Sequence, residues 1–545
     1  MLLTVCLVYI VFGLFQRDPW KTDDVIGMAQ MWTAVHDGGP AWVVPQIAGV
    51  AASINGPLAM WLGALCMSLL GPWLGEIVAA RLPNLIWFAI TTGSIWYGTY
   101  LLGRRPEAQP LALPFGGQPA PADYGRMLAD AALLLLLATL GLAWRTHETS
   151  AVPAALACQA LAYYSFARLW DRPVSGALSL GLAFAGAFLA RGLPALLPLL
   201  IACVVVIPRS ARPQQRAVLT IALPISLGLI LLWLWAAWHT SPYWVYGWLH
   251  WHRETLGLIT LRGAASVLRN APWFLWPLWP LALITLWRWR GWYGSPHLRV
   301  PLGLAAGALI TLICMHRPDE PELLALVVPA AALGALALPT LRRGQVNSLD
   351  WFAVMAFSVS AALVWFGWMT ALTGWPEKIA GNIERQTPGF ELSFNFWAFL
   401  AAALATLGWI ALITWRLRVQ PAALWRGSIL SAGGVLITWV LLNTLWLPSI
   451  DYARSYRPVA NAVRSALQAE GSSACVRSSN LGLAQRASFA VFAGLRFSFD
   501  ERCPLVLQQT TQAQRLLSQP AGSIVLWEGA RPSDRVERYL LLRVQ

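Results

Sequence analysis

The chain has 545 residues, 57% of them hydrophobic and only 12% charged, with a formal net charge of +14. Ordinary soluble domains carry roughly 25% charged residues, so this composition excludes a globular cytosolic protein and points to a chain that lies mostly in a bilayer. The basic residues are spread between apolar stretches rather than gathered on one face, which argues against nucleic-acid binding and for membrane topology and anionic headgroups.

The first apolar segment is 1–16, MLLTVCLVYIVFGLFQ. It lacks a basic start and a clear small-x-small cleavage site, so it is expected to remain as an anchor rather than to be removed as a signal peptide. Further membrane spans are expected near 81–102, 127–144, 151–168, 174–190, 193–208, 217–238, 273–289, 300–315, 322–340, 351–372, 396–415 and 428–447, thirteen in all. The stretch 57–75 is apolar but punctuated by Gly and Pro, and is expected to lie along the interface. The Pro/Gly-rich segment 106–122 is expected to be a flexible connector.

Charge alternates with these spans. One set of loops holds Arg104/Arg105, Arg168/Arg172, Arg209/Arg212/Arg216, Arg288/Arg290/Arg299, Arg342/Arg343 and Arg416/Arg418/Arg426. The other set holds Asp23, Asp24, Asp37, Glu148, Glu254, Asp319, Glu320, Glu322, Glu377, Glu384 and Glu391. The positive-inside rule makes the first set cytoplasmic, which puts the N-terminus inside and the acids outside. The 32 Trp residues suit the two membrane interfaces. Within this group, the aromatic run 242–251, PYWVYGWLHW, fits either an interfacial belt or rings that stack on sugar faces.

After Leu447 the composition turns polar. Residues 451–470 show helical spacing, and strand-like runs follow at 474–476, 487–497, 504–507, 524–527 and 538–542. The expected fold is thus an all-α polytopic membrane domain, 1–447, with residues 17–80 as its first extracytoplasmic loop. A small α/β extracytoplasmic domain, 448–545, follows it. Cys475 and Cys503 lie in that domain and can pair there if it faces an oxidising compartment. The other five cysteines sit in apolar spans as small hydrophobes, and no cysteine–histidine spacing fits zinc. Lysine occurs only at Lys21 and Lys378, neither in a phosphate-cradling G-x-x-x-x-G-K-[ST] loop, which excludes ATP-driven transport by this chain alone.

The acidic pair Asp23-Asp24 directly follows the first span, where carboxylates are costly unless they pair or work. The pair can act as a general base, as a metal ligand or as a cap. Asp in a first turn complements the helix dipole, and Thr22 can serve as N-cap.

The surrounding motifs resemble the first extracytoplasmic loop of the GT-C superfamily of lipid-phosphate-sugar-dependent glycosyltransferases, and within it the lipid A aminoarabinose transferase and protein O-mannosyltransferase groups. The residues that carry the resemblance are Thr22-Asp23-Asp24, then Gly39-Pro40-Ala41-Trp42-Val43-Val44-Pro45, then Asn55-Gly56-Pro57-Leu58 followed by Trp61. Ala80-Arg81-Leu82-Pro83 resembles the family's A-R-L-P, Leu189-Ala190-Arg191-Gly192-Leu193-Pro194 its L-x-K-G-x-P, and His316-Arg317-Pro318-Asp319-Glu320-Pro321 its region before a Pro-containing apolar helix. Two departures stand out: the family lysine of K-P-P is Asn55 here, and His147-Glu148 occupies the loop where the family often carries P-D.

The resemblance implies transfer of a sugar from a polyprenyl-phosphate carrier to a lipid A, other glycolipid, glycan or protein acceptor on the periplasmic face of a bacterial inner membrane. Asp23 would then be the base that takes the acceptor proton, with Asp24 orienting it or helping to bind a metal. Asn55, Arg81, Glu148, Arg191, Arg253 and Arg317 become candidates for substrate contact, with Arg262 nearby, because arginine forks suit a departing phosphate. Arg81 and Arg191 also fit as snorkelling or capping residues, and His147 as a polar interface residue. No cofactor is required by these motifs, and a divalent metal ion is the one candidate. Two rival readings are a transporter or flippase for a lipid-linked sugar, which should carry ionisable groups on broken helices near mid-bilayer, and a non-catalytic assembly protein acting through its C-terminal domain.

Overall fold

The apolar stretches repeat with helical rather than alternating spacing, and the membrane part folds as helices throughout. The structure is a computed structural model and describes residues 2–51, 55–110, 118–257, 261–316, 318–419, 423–471, 475–511, 522–534 and 536–544. Seven of the expected spans coincide with helical stretches long and apolar enough to cross a bilayer. These are Pro173–Arg191, Arg212–Thr240, Pro296–Cys314, Glu320–Thr340, Arg343–Thr373, Phe396–Val419 and Arg426–Arg454. The other six are helical too, but fall short of that length or apolarity. One of them, 127–144, breaks into Pro121–Leu137 and Leu140–Arg145. At the break, Leu140 N donates to the Trp276 carbonyl of a neighbouring segment. The chain is an integral membrane protein.

The 57–75 stretch forms one helix, Leu58–Leu74, that buries Ala59, Met60, Gly63, Ala64 and Met67 and exposes Leu65, Leu69 and Trp73. Such one-sided burial suits a helix lying in an interface. The bundle core gathers around Val152–Leu169, which packs against Pro83–Gly103 and Pro173–Arg191. Its fully buried Ala154, Ala157 and Ala160 let backbones approach closely, the usual route to tight helix association where lipid is the solvent.

Ion pairs respect the two sets of loops. Arg104 and Arg105 pair with Asp171, and Arg416 and Arg426 with Asp350, all from segments expected on one side. Arg145 pairs with Asp23, Glu148 and Glu320, and Lys21 with Glu537, all from segments expected on the other. The two loop sets therefore contact their own kind.

The first loop carries the helix Asp23–Asp37 and a two-stranded hairpin, β1 (Gln46–Ile47) and β2 (Val50–Ala51). Past the last span, helices Leu447–Arg454 and Arg457–Ala469 lead into a five-stranded sheet. Its strands are β3 (Val476–Ser479), β4 (Phe497–Ser498), β5 (Leu505–Thr511), β6 (Ile524–Gly529) and β7 (Glu537–Arg543), in the order β4-β3-β5-β7-β6. β3 runs parallel to β4 and β5, whereas β7 runs antiparallel to β5 and β6. The strand expected at 487–497 is mostly a helix, Leu483–Ala493, with only Phe497–Ser498 in the sheet. Its residues are buried on nearly every side because the helix is wedged between the sheet and Asp23–Asp37, which erases the polar face that marks a helix in sequence. Gly494, at φ +68°, ends it.

Cys475 and Cys503 are bonded, with Cα atoms 5.5 Å apart and a sequence separation of 28. Closing a loop of that size is worth about 3–4 kcal/mol in the chain-entropy account. The variant Cys475→Ser/Cys503→Ser is therefore expected to melt earlier. Denatured wild type labelled with a maleimide should show fewer reactive thiols without reductant than with it. Equal labelling would contradict the bond.

Candidate active site

The two carboxylates of the acidic pair meet opposite fates. Asp24 is buried, with its Oδ2 2.7 Å from Arg17 Nη2 and 3.4 Å from Arg81 Nη2, while its Oδ1 accepts from the Thr149 amide and hydroxyl, both at 2.7 Å. Burial alone would raise this carboxyl, but Arg17, Arg81 and Thr149 outweigh it and hold it below the usual range. The close approach depends on Gly27, where a Cβ would lie 2.3 Å from the Thr149 carbonyl oxygen. Thr22 makes no side-chain cap bond, so the helix start relies on its acidic first turn instead. Arg81, expected as a substrate contact, is buried and directed at Asp24 and at the carbonyls of Leu14 and Arg17. Arg17, Asp24, Arg81 and Thr149 thus form a buried knot that holds the first loop to the bundle.

Asp23 points the other way. Its carboxylate is 30% exposed and lies 3.4 Å from Arg145 Nη1. Arg145 also reaches Glu148 at 3.0 Å and Glu320 at 3.2 Å, so three carboxylates from three segments converge on one guanidinium. Arg145, Glu148 and Glu320 line a cleft of about 560 Å³ together with Lys21, Thr22, Trp144, Arg269, Asn270, Trp273, Phe274 and Arg454 among others, and Asp23 adjoins it through its contact with Arg145. Among the described residues neither Arg269 nor Arg454 has a carboxylate partner. Arg454 and Arg17 both stack on the Trp20 and Trp144 rings.

A second knot joins the remaining motifs. Gly56 N donates to the Ala190 carbonyl at 2.9 Å, bringing Asn55-Gly56-Pro57 against Leu189-Ala190-Arg191. Asn55 is buried, and its Oδ1 has no partner among the described residues. Gly192, at φ +65°, sits so close to His252 that a Cβ would lie 2.2 Å from its ring. The aromatic helix Pro242–Thr255 buries Trp244 and Trp248 beside Trp233, and the Trp244 and Trp233 indoles donate to the carbonyls of Pro45 and Val43. The aromatic run is thus half packing against the first loop and half exposed at Tyr243 and Tyr246. The short helix Glu320–Leu326 links the cleft to this second knot, because Glu320 faces Arg145 while Glu322 binds Arg191 at 2.7 Å.

Comparison with solved structures follows this geometry. ArnT from Cupriavidus metallidurans, a lipid A aminoarabinose transferase, aligns in its undecaprenyl-phosphate-bound form with a TM-score of 0.69, covering 99% of this chain and 97% of its own at 14% identity. Its apo form gives a TM-score of 0.67 at 15% identity over the same shares. This chain has the GT-C fold. The Archaeoglobus fulgidus oligosaccharyltransferase is more distant, with a TM-score of 0.46 at 12% identity, covering 90% of this chain and 63% of its own. No family model and no curated protein matches the sequence.

Within this GT-C frame, the structure puts Glu148 in the cleft lining with Asp23 beside it on Arg145, and brings Asn55 and Arg191 to the neighbouring knot. Arg253 is exposed on the aromatic helix, where the neighbouring Glu254 pairs with His250. Arg317 lies outside the described residues. His147 is buried, between the carbonyls of Ala143 and Tyr9. Among the described residues, no group of three or more His, Cys, Asp or Glu is placed to hold a metal ion. Asp23, Glu148 and Glu320 are engaged by the Arg145 guanidinium.

Sequence reasoning missed Arg145, Arg269, Glu320 and Arg454 as cleft residues. Arg145 did leave a signal: it is an arginine at a span end that the charge alternation expects to be outer, against that alternation. Glu320 stood in the acidic loop set and in the His316–Pro321 motif, while Arg269 and Arg454 are brought in by tertiary folding and had no signal.

Burial pushes the Glu148 carboxyl up to about 7 despite Arg145 beside it, with Asp24 and Asp23 adding to the rise. An acid raised in this way adds stability at low pH that is lost as pH rises from about 4.5 through about 7. His147 works oppositely: burial holds its ring down to about 4, so its contribution is lost as pH falls from about 6.5 toward 4. Glu148→Gln isolates the first effect, worth about 3 kcal/mol at full shift. The variant should melt close to wild type at low pH and a few degrees higher at pH 8. A difference that does not change with pH would contradict this.

Proposed function

We propose that the protein transfers a sugar from a polyprenyl-phosphate carrier to an envelope acceptor (lipid A, another glycolipid or glycan, or a protein) at the outer face of a bacterial inner membrane, with its N-terminus cytoplasmic and its C-terminal domain periplasmic. The observation that carries the reading is the pairing of a partly exposed Asp23 with Arg145, a lining residue of a cleft that also holds Arg269 and Arg454, two cations without carboxylate partners among the described residues. The likeness to an undecaprenyl-phosphate-bound ArnT supports it.

The acceptor hydroxyl oxygen attacks the anomeric carbon and its proton passes to the Asp23 carboxylate. The bond from that carbon to the phosphate oxygen breaks, and its electron pair leaves with polyprenyl phosphate. Arg269 and Arg454, both in the cleft lining, meet the charge that grows there in this reading, which is where electrostatic stabilisation is most effective. Trp273, largely exposed in the cleft lining, supplies a flat face for a sugar ring. Asp24 is committed to Arg17 and Arg81, which leaves the base role to Asp23. Single displacement inverts the anomeric centre.

Purified protein in proteoliposomes, given radiolabelled polyprenyl-phosphate sugars and an envelope extract, should move label into a lipid or protein product of inverted configuration. A product of retained configuration would overturn the single-displacement scheme.

A further inference from the structure

Three side chains just ahead of Asp23 are fastened to the C-terminal region. The Asp18 carboxylate accepts from Arg457 Nε at 3.0 and 3.1 Å and from the Ser455 hydroxyl at 2.6 Å. The Trp20 indole donates to Asp451 at 2.6 Å. Lys21 Nζ binds Glu537 Oε1 at 2.9 Å. Glu537 is itself fixed, because its other oxygen accepts from the buried Tyr456 and Tyr539 hydroxyls, both at 2.8 Å, and Gln485 donates to Oε1 at 3.2 Å. Just behind Asp23, Val25, Ile26 and Ala29 share a core with Ala484 and Ala487 of the C-terminal domain. The segment bearing Asp23 is therefore flanked on both sides by anchors that the C-terminal domain supplies.

We infer that the C-terminal domain is a working part of the active site, in which Glu537, through Lys21, and Arg457, through Asp18, position the loop that presents Asp23. The inference rests on the base assignment above. Glu537 touches no reacting atom and is a positioning residue. Its grip on Lys21 fixes the direction in which the chain enters the Asp23–Asp37 helix. Misplacing a catalytic group by about 1 Å costs on the order of 10²-fold in rate, whereas a partly exposed ion pair adds little to stability. Loss of the Glu537 grip should thus slow turnover in a protein that is still folded.

The test uses the full-length protein in proteoliposomes. Glu537→Gln is expected to lower kcat about tenfold, with KM for the polyprenyl-phosphate sugar within about twofold of wild type and an unchanged melting temperature. Lys21→Met should show the same fall, the double variant no further fall, and Lys21→Arg most of the wild-type rate. Wild-type kcat in Glu537→Gln, or falls that multiply in the double variant, would overturn the inference. Asp23→Asn measured alongside separates the two failures. If it is inactive while Glu537→Gln runs at full rate, only the positioning role falls. If Asp23→Asn itself runs at full rate, the base assignment falls and takes the positioning role with it.

Discussion

Asp23→Asn is expected to lower sugar transfer by about 10²- to 10⁴-fold, the range that a positioned general base contributes. Asparagine keeps the shape of the side chain but cannot take the acceptor proton. The Asp23–Arg145 pair is partly exposed and Arg145 keeps Glu148 and Glu320, so the variant should express and melt like wild type. The measurement is kcat for transfer at matched protein, with donor binding followed separately. A variant that binds donor normally and turns over at the wild-type rate would remove Asp23 from the chemistry.

Asp24→Ala should fail for a different reason. Arg17 and Arg81 are both buried, and Asp24 is the only carboxylate that either contacts in an ion pair among the described residues. Removing one partner of a buried ion pair leaves uncompensated charge and costs about 3–5 kcal/mol. The Thr149 amide and hydroxyl would lose their acceptor at the same time. Low yield and a strongly lowered melting temperature are therefore expected, with activity lost in proportion to folded protein. Thermal melting of the purified variant checks this, and a wild-type melting temperature would show that the knot does not hold the loop. The two neighbouring aspartates thus give opposite signatures, one kinetic and one structural.

That difference could not be seen in the sequence, where Asp23 and Asp24 are equivalent members of one acidic pair. What separates them is Thr149, 125 residues further on, and the missing side chain at Gly27 that lets the two segments meet. Arg81 shows the same limit: its motif marks it as a cation near the site, but only the fold shows that its charge is spent on Asp24. The spans were legible because a bilayer imposes a length and an apolarity that a local window can count. Loop charge was legible for a similar reason, since ion pairs within each loop set follow from which side the loops occupy. The Leu483–Ala493 helix was not, because burial on nearly every face removes the polar stripe that local pattern depends on. The cleft was legible only in part. Asp23 and Glu148 stand out as acids beside spans, Glu320 falls in a family-like motif and Arg145 breaks the charge alternation, while Arg269 and Arg454 acquire meaning only when distant segments converge.

The most direct test of the central claim follows the donor itself. Purified wild-type protein in sealed proteoliposomes, supplied with polyprenyl-phosphate sugars labelled in the sugar and with an envelope extract, is assayed for free polyprenyl phosphate. A glycosyltransferase of this kind should release polyprenyl phosphate in step with labelled product, and Asp23→Asn should release neither. Intact donor recovered from the opposite leaflet, with no polyprenyl phosphate formed, would contradict the account and identify a transporter.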